Sequence, residues 1–125
     1  MSKFSLDAEM EFEIIAHFIT KGDDKPITGF EYKARLFDRE IFQDDDFIGE
    51  SGLDEYGIAR FRMTADVYEN VPDLGFGPEF YITIIKNDKE IYKSKVVKNI
   101  DLKIVERYKK GVGEVIDFGT FLIDA

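Results

Sequence analysis

The acidic residues of this chain gather in one place. Asp38, Glu40, Asp44, Asp45 and Asp46 fall within a single stretch, with Glu50 just past it. Carboxylate oxygens are hard ligands, and the cation they suit is calcium, which takes six to eight oxygens at roughly 2.3–2.6 Å. One short loop seldom supplies that many, so a second loop has to converge on the first, and Asp23 with Asp24 or Asp54 with Glu55 are the candidates. A solvated loop is the plainer alternative. Two like charges 4 Å apart repel by only about 1 kcal/mol in water, and by less once salt screens them.

Other chemistry is poorly supplied. The chain has no cysteine and a single histidine, His17. Thiol nucleophiles, disulfides and zinc thiolate sites are excluded, and hydrolytic nucleophile–base pairs or ordinary zinc sites lack their usual second member. His17 falls on the charged side of an alternating segment, the position of a surface or subunit-contact residue. Carboxylate pairs remain available for acid–base work, but most acids lie in turns rather than in an apolar pocket. Gly75-Phe76-Gly77 lacks the strand before and helix after that a phosphate loop requires, so it reads as turn chemistry. No catalytic residue is assigned, and no organic cofactor.

Charge narrows the partners. The formal net charge is −9, which argues against nucleic acid, because affinity for phosphate comes mainly from Lys and Arg. Residues 7–55 hold most of the acids. Lys86, Lys89, Lys93, Lys95, Lys98, Lys103, Arg107, Lys109 and Lys110 form a basic later region. Two solvated faces of opposite sign explain this; a polar binding face or head-to-tail self-association is the functional alternative. No run approaches the ~20 apolar residues of a membrane helix, and acids interrupt MSKFSLDAEMEFEI where a signal peptide needs an apolar run. The expectation is a cytoplasmic protein with no membrane span, with export of a processed chain left open.

The elements that must position the acids are strands. Met10, Phe12, Ile14, Ala16 and Phe18 alternate with Glu11, Glu13 and His17, the period-two pattern of a half-buried strand. Lys21 to Pro26 is a turn by composition. Phe30, Tyr32, Ala34 and Leu36 then share a face opposite Glu31, Lys33 and Arg35. After the acidic loop, Phe47 to Leu53 is a short strand that Gly49 and Gly52 weaken, hinting at a bulge or sharp twist. Asp54-Glu55-Tyr56-Gly57 is a turn ending in glycine, and Ile58 to Met63 resumes with Ala59, Phe61 and Met63 inward, so residues 47–63 read as a hairpin. Residues 65–78 are irregular. Phe80, Ile82 and Ile84 mark the next strand, and Lys86-Asn87-Asp88-Lys89 turns it into Glu90–Val97 as a second hairpin. Residues 99–110 fit a short helix, a loop or a strand. Glu114–Ile123 closes as a strand containing Gly119.

Seven short strands without a β-α-β alternation predict an all-β fold, an antiparallel sandwich of immunoglobulin-like type, as one domain over residues 1–125. Twelve Phe and six Tyr among 44% hydrophobic residues support an aromatic core, for which Phe12, Phe18, Phe61, Phe80 and Phe121 are the candidates.

The stretches KPITGFEYKARLFDRE and DDDFIGESGLDEYGIARF resemble a transthyretin-like β-sandwich domain: a glycine opening a strand, an apolar strand ending in Asp, a "DD-apolar-apolar-G" step and a "D-x-x-G-apolar-x-F" hairpin. Gly29, Asp38, Asp45, Asp46, Gly49, Asp54, Gly57 and Phe61 occupy those places. VPDLGFGPEFYITIIKNDKEIYKS is similar to that family's next hairpin and VIDFGTFLID to its closing strand, so the resemblance runs over residues 8–124. The family includes hormone carriers, secreted nematode proteins, carboxypeptidase accessory domains and hydroxyisourate hydrolases. The hydrolases carry a Tyr-Arg-Gly-Ser-type tail and several active-site histidines; this chain ends Phe121-Leu122-Ile123-Asp124-Ala125, so that activity is not implied.

The acidic loop also resembles the third calcium loop of C2 domains, where D-x-D-x5-D precedes "apolar-I-G-E". Asp38, Glu40 and Asp46, followed by Phe47-Ile48-Gly49-Glu50, keep that spacing with Glu in place of the second Asp. In C2 domains the loop follows most of the strands, whereas here only two precede it, and the "SDPY"-like first-loop signature is missing. Together these readings lead to the expectation of a non-enzymatic binding module that self-associates or serves a protein partner. The alternative is a calcium-dependent module using the acidic loop 38–46, with Asp38, Glu40, Asp44, Asp45 and Asp46 as ligands.

Overall fold

A computed structural model describes residues 11–40, 42–64, 79–97 and 114–124. They form β1 (Glu11–Thr20), β2 (Tyr32–Asp38), β3 (Asp46–Gly52), β4 (Ile58–Thr64), β5 (Phe80–Lys86), β6 (Lys89–Lys93) and β7 (Glu114–Ile123). Three strands make one sheet in the order β4-β1-β7, and four make the other in the order β3-β2-β5-β6. The segment 99–110, read as helix, loop or strand, and the irregular stretch 65–78 lie outside the described residues.

Alternation sets the core. Ile14, Ala16 and Phe18 of β1, Ala34 and Leu36 of β2, Ala59 and Phe61 of β4, and Phe80, Ile82 and Ile84 of β5 are buried between the sheets. Phe121 is half-buried and stacks on Phe18 with ring centroids 5.2 Å apart. Four of the five expected core aromatics are thus in or against the core; the side chain of Phe12 lies outside the description. Strand β5 is buried on both faces, because Tyr81, Thr83 and Ile85 on its outer side are covered as well.

Three expectations need correction. The sandwich is not wholly antiparallel: β1 and β7 pair in parallel. Side-chain periodicity records which face a residue takes and carries no information on strand direction. Residues 47–63 are not a hairpin, since β3 edges the four-stranded sheet and β4 the three-stranded one. The turn between them is a corner. Asp54 Oδ1 accepts the N–H groups of Tyr56 and Ile58, each at 2.9 Å, and the Gly57 N–H donates to the Asp54 carbonyl at 2.9 Å. Gly57 has φ 77°, and a Cβ there would stand 2.4 Å from the Phe18 carbonyl oxygen, so the corner admits no side chain. Thirdly, Phe30 does not join the inner face of β2. The Tyr32 N–H donates to the Gly29 carbonyl at 3.2 Å, and that turn leaves Phe30 104% exposed before the strand begins.

Two irregularities fall where glycines stood. In the β2–β3 ladder Leu36 faces Gly49 and Phe37 faces Phe47, leaving Ile48 as the extra residue of a bulge. In the β1–β7 ladder the register shifts between Ile15, opposite Asp117, and His17, opposite Thr120, beside Gly119 with φ 94°. At the opposite end of the four-stranded sheet from the acidic loop, Asn87 and Asp88 both have positive φ (49° and 67°). That is the backbone of a two-residue hairpin turn matched to strand twist, and β5 and β6 form the expected hairpin across it.

Candidate metal centre

Asp38 ends β2 and Asp46 begins β3, and the two are direct partners in the antiparallel ladder. Like charges placed directly opposite destabilise a sheet. Glu40 from the connecting loop joins them, so that one carboxylate oxygen from each of Asp38, Glu40 and Asp46 lies within 4.8 Å of the others. Oxygens on opposite sides of a calcium ion stand about 4.6–5.2 Å apart, twice the metal–oxygen distance, whereas magnesium at about 2.0–2.1 Å asks for a tighter set. The three carboxylates can coordinate a divalent cation.

Asp38 is the anchor. It is 1% exposed, its Oδ1 accepts the Glu79 N–H at 3.1 Å, and its Oδ2 is buried with no hydrogen-bond partner among the described residues. Burial raises its pKa above the ordinary aspartate value against the pull of the Glu79 N–H, and the charges of Asp46, Glu79 and Asp45 add to the rise. Glu40, half-buried, also has a buried oxygen, Oε1, without a partner. Desolvation, a hydrogen bond to Asp46 in the protonated form, and the charges of Asp38, Asp46 and Asp45 push its carboxyl up to about 6. Crowded, desolvated carboxylates with spare oxygens are relieved by a proton or by a cation.

Asp45 is built differently. Its Oδ1 accepts the Glu40 N–H at 2.9 Å and its Oδ2 accepts the Tyr81 hydroxyl. The Tyr81 bond leads, and the Glu40 N–H, Lys93 and Arg39 join it, in holding this carboxyl below the ordinary value despite burial. The Tyr81 phenol rises in turn, first from burial and then from the bond and charge of Asp45. The near end of the loop is tied down as well: the Arg39 N–H donates to the Glu79 carbonyl at 2.9 Å, and its guanidinium pairs with the Glu79 carboxylate at 2.8 Å.

Of the five residues expected as ligands, the structure brings together Asp38, Glu40 and Asp46. Asp44 is exposed and stands outside the group, and Asp45 faces Glu40 and Tyr81 instead. The second acidic loop does not converge. Asp54 serves the corner turn, and Asp23 accepts the Thr20 hydroxyl. Sequence reasoning missed Glu79 and Tyr81. Both belong to or adjoin β5, and only the β2–β5 register, which sets Asp38 opposite Phe80 and Phe37 opposite Tyr81, brings them to the loop.

Apolar surface adjoins the cluster. Phe42, in the loop, is 91% exposed, and Phe47, next to Asp46, is 56% exposed. From Phe47 an aromatic row crosses the outer face of the sheet. Phe47 meets Phe37 edge-on at 5.6 Å, Phe37 stacks on Tyr81 at 5.3 Å, and the Lys93 ammonium sits 4.8 Å from the Tyr81 ring centroid.

No protein-family model matches this sequence, and no curated protein matches it. Among solved structures it is similar to the crystal structure of a 9R-lipoxygenase from Cyanothece PCC8801, with a TM-score of 0.56 and 13% sequence identity. The match covers 99% of this chain and 18% of the lipoxygenase chain, so the protein spans less than a fifth of that relative. At this identity the likeness is one of fold. It supports an all-β sandwich and leaves the transthyretin-like and C2 resemblances as resemblances. Among the described residues no helix is long and apolar enough to cross a membrane.

Proposed function

We propose that the chain is a non-enzymatic β-sandwich module, one domain over residues 1–125, that binds calcium through Asp38, Glu40 and Asp46 and a partner through the surface beside them. One observation carries the reading: a carboxylate 1% exposed, with an unpaired oxygen, stands within 4.8 Å of two other carboxylates at the end of a sheet. Calcium requires six to eight oxygens, so the remainder would have to come from main-chain carbonyls and water. The spacing from Asp38 through Glu50 supports the same assignment through its similarity to a C2 calcium loop. The lipoxygenase's activity belongs to a far longer chain and is not carried over.

A protein partner, or a second copy of this chain, is the binding half of the reading. Exposed Phe42 and Phe47 beside the cluster favour it, because aromatic side chains are enriched at interfaces. The transthyretin-like resemblance points the same way, as members of that family often pair through sheet edges. The experiment is a calorimetric calcium titration with a parallel melting curve. Binding is expected to release heat and, at ten times Kd, to add about 1.4 kcal/mol of stability. Absence of both heat and a melting shift at millimolar calcium overturns the proposal.

A further inference from the structure

Two of the three proposed ligands need no help to hold position. Asp38 lies in β2 and Asp46 in β3, each fixed by the ladder that pairs them. Glu40 alone stands on the loop. What holds its backbone is Asp45 Oδ1, 2.9 Å from the Glu40 N–H, and what holds Asp45 is the hydroxyl of Tyr81 on β5. Tyr81 in turn is buried, stacked on Phe37 and capped by Lys93. Asp45 thus spends both oxygens away from the cluster. We infer that Asp45 and Tyr81 are positioning residues for the cation: a phenol on the outer face of the sheet, two strands away from Asp46, sets calcium affinity by fixing Glu40. The inference rests on the calcium reading above.

The physical basis is preorganisation. A ligand held in place before the ion arrives spares the entropy of ordering it at binding, and partners one step behind metal ligands commonly change affinity by about 10–100-fold. The distinction from direct ligation is testable because two substitutions rank in opposite orders. Tyr81→Phe keeps the stacked ring under Lys93 and removes only the hydroxyl. Asp45→Asn removes the ionised oxygen but keeps both bonds, its carbonyl accepting from the Glu40 N–H and its amide donating to the Tyr81 oxygen.

The experiment is calorimetric calcium titration of the full chain and of Tyr81→Phe, Asp45→Asn and Asp45→Ala, each with a melting curve in chelator. Tyr81→Phe and Asp45→Ala are expected to weaken calcium about tenfold or more, while Asp45→Asn stays within about threefold. Asp45→Ala orphans the Glu40 N–H and the Tyr81 hydroxyl and should melt somewhat earlier in chelator, but with a single cooperative transition well above the titration temperature, so its loss of affinity is not a loss of fold. Wild-type affinity in Tyr81→Phe, or a loss in Asp45→Asn equal to that in Asp45→Ala, overturns the positioning role. Absence of calcium binding by the unaltered chain overturns the metal reading instead, and this inference with it.

Discussion

The backbone N–H of Glu79 donates to Oδ1 of Asp38 over 3.1 Å, while the other oxygen of that carboxylate is buried and unpaired. One residue is therefore half satisfied by the fold and half not. Burial raises its pKa, so the ionised form is the strained one. Asp38→Asn should keep the Glu79 bond, place an amide donor toward the two remaining carboxylates, and raise the stability of the calcium-free protein by on the order of 1 kcal/mol. Its calcium affinity should fall at least tenfold. Melting curves with chelator and with calcium read both effects, and a variant that keeps the calcium-induced shift would remove Asp38 from the ligands.

Glu40 predicts opposite pH responses with and without the ion. Its folded-state pKa of about 6 is above the usual 4.5, so the charged form is disfavoured by folding. The penalty is fully present above about pH 6 and is relieved as pH falls toward 4.5, which makes this group stabilise the calcium-free protein on acidification. Calcium needs the ionised carboxylate, so its affinity should fall through the same window. Melting temperature against pH in chelator and in saturating calcium should converge below pH 6. Parallel curves would exclude Glu40 from the site, and Glu40→Gln should flatten the chelator curve.

The corner at Gly57 tests the architecture. Gly57→Ala forces a side chain into positive φ and against the Phe18 carbonyl at 2.4 Å, and should cost about 3 kcal/mol or more. Asp54→Ala frees two N–H groups and should cost about 1–3 kcal/mol. Denaturant unfolding measures both; a neutral Gly57→Ala would contradict the described packing.

Two phenylalanines separate inside from outside. Phe18→Ala empties a fully buried site and should cost about 3–5 kcal/mol. Phe30→Ala, on a fully exposed ring, should stay within about 0.5 kcal/mol. Equal costs would place Phe30 in the core after all.

Much of the fold was legible because burial repeats every two residues. The strands that became β1, β2, β4 and β5 are marked by runs such as Ile14-Ala16-Phe18 and Phe80-Ile82-Ile84, and Gly49 marks the β2–β3 bulge, whereas Gly119 on its own does not announce the register shift beside it. Strand direction and sheet membership were not legible, since the alternation of Ala59, Phe61 and Met63 is the same whether β4 pairs with β3 or with β1. The cluster was legible in its three converging members through the spacing of Asp38, Glu40 and Asp46. Asp45 is identical in type to its neighbours, and what distinguishes its role is its pair of bonds, to the Glu40 N–H and to the Tyr81 hydroxyl 36 positions away.

The parallel pairing of β1 with β7 also orders events in time. His17 and Thr120, bonded across that ladder at 3.2 Å, are 103 positions apart. Closing so long a loop is entropically unfavourable before it is rewarded, and topologies of this kind fold in roughly milliseconds to seconds. On the ribosome the three-stranded sheet cannot be completed until β7 emerges, while β2, β3, β5 and β6 are already free to assemble. All four strands of the sheet that carries the acidic cluster thus precede β7 in the chain and are synthesised before the strand that completes the other sheet.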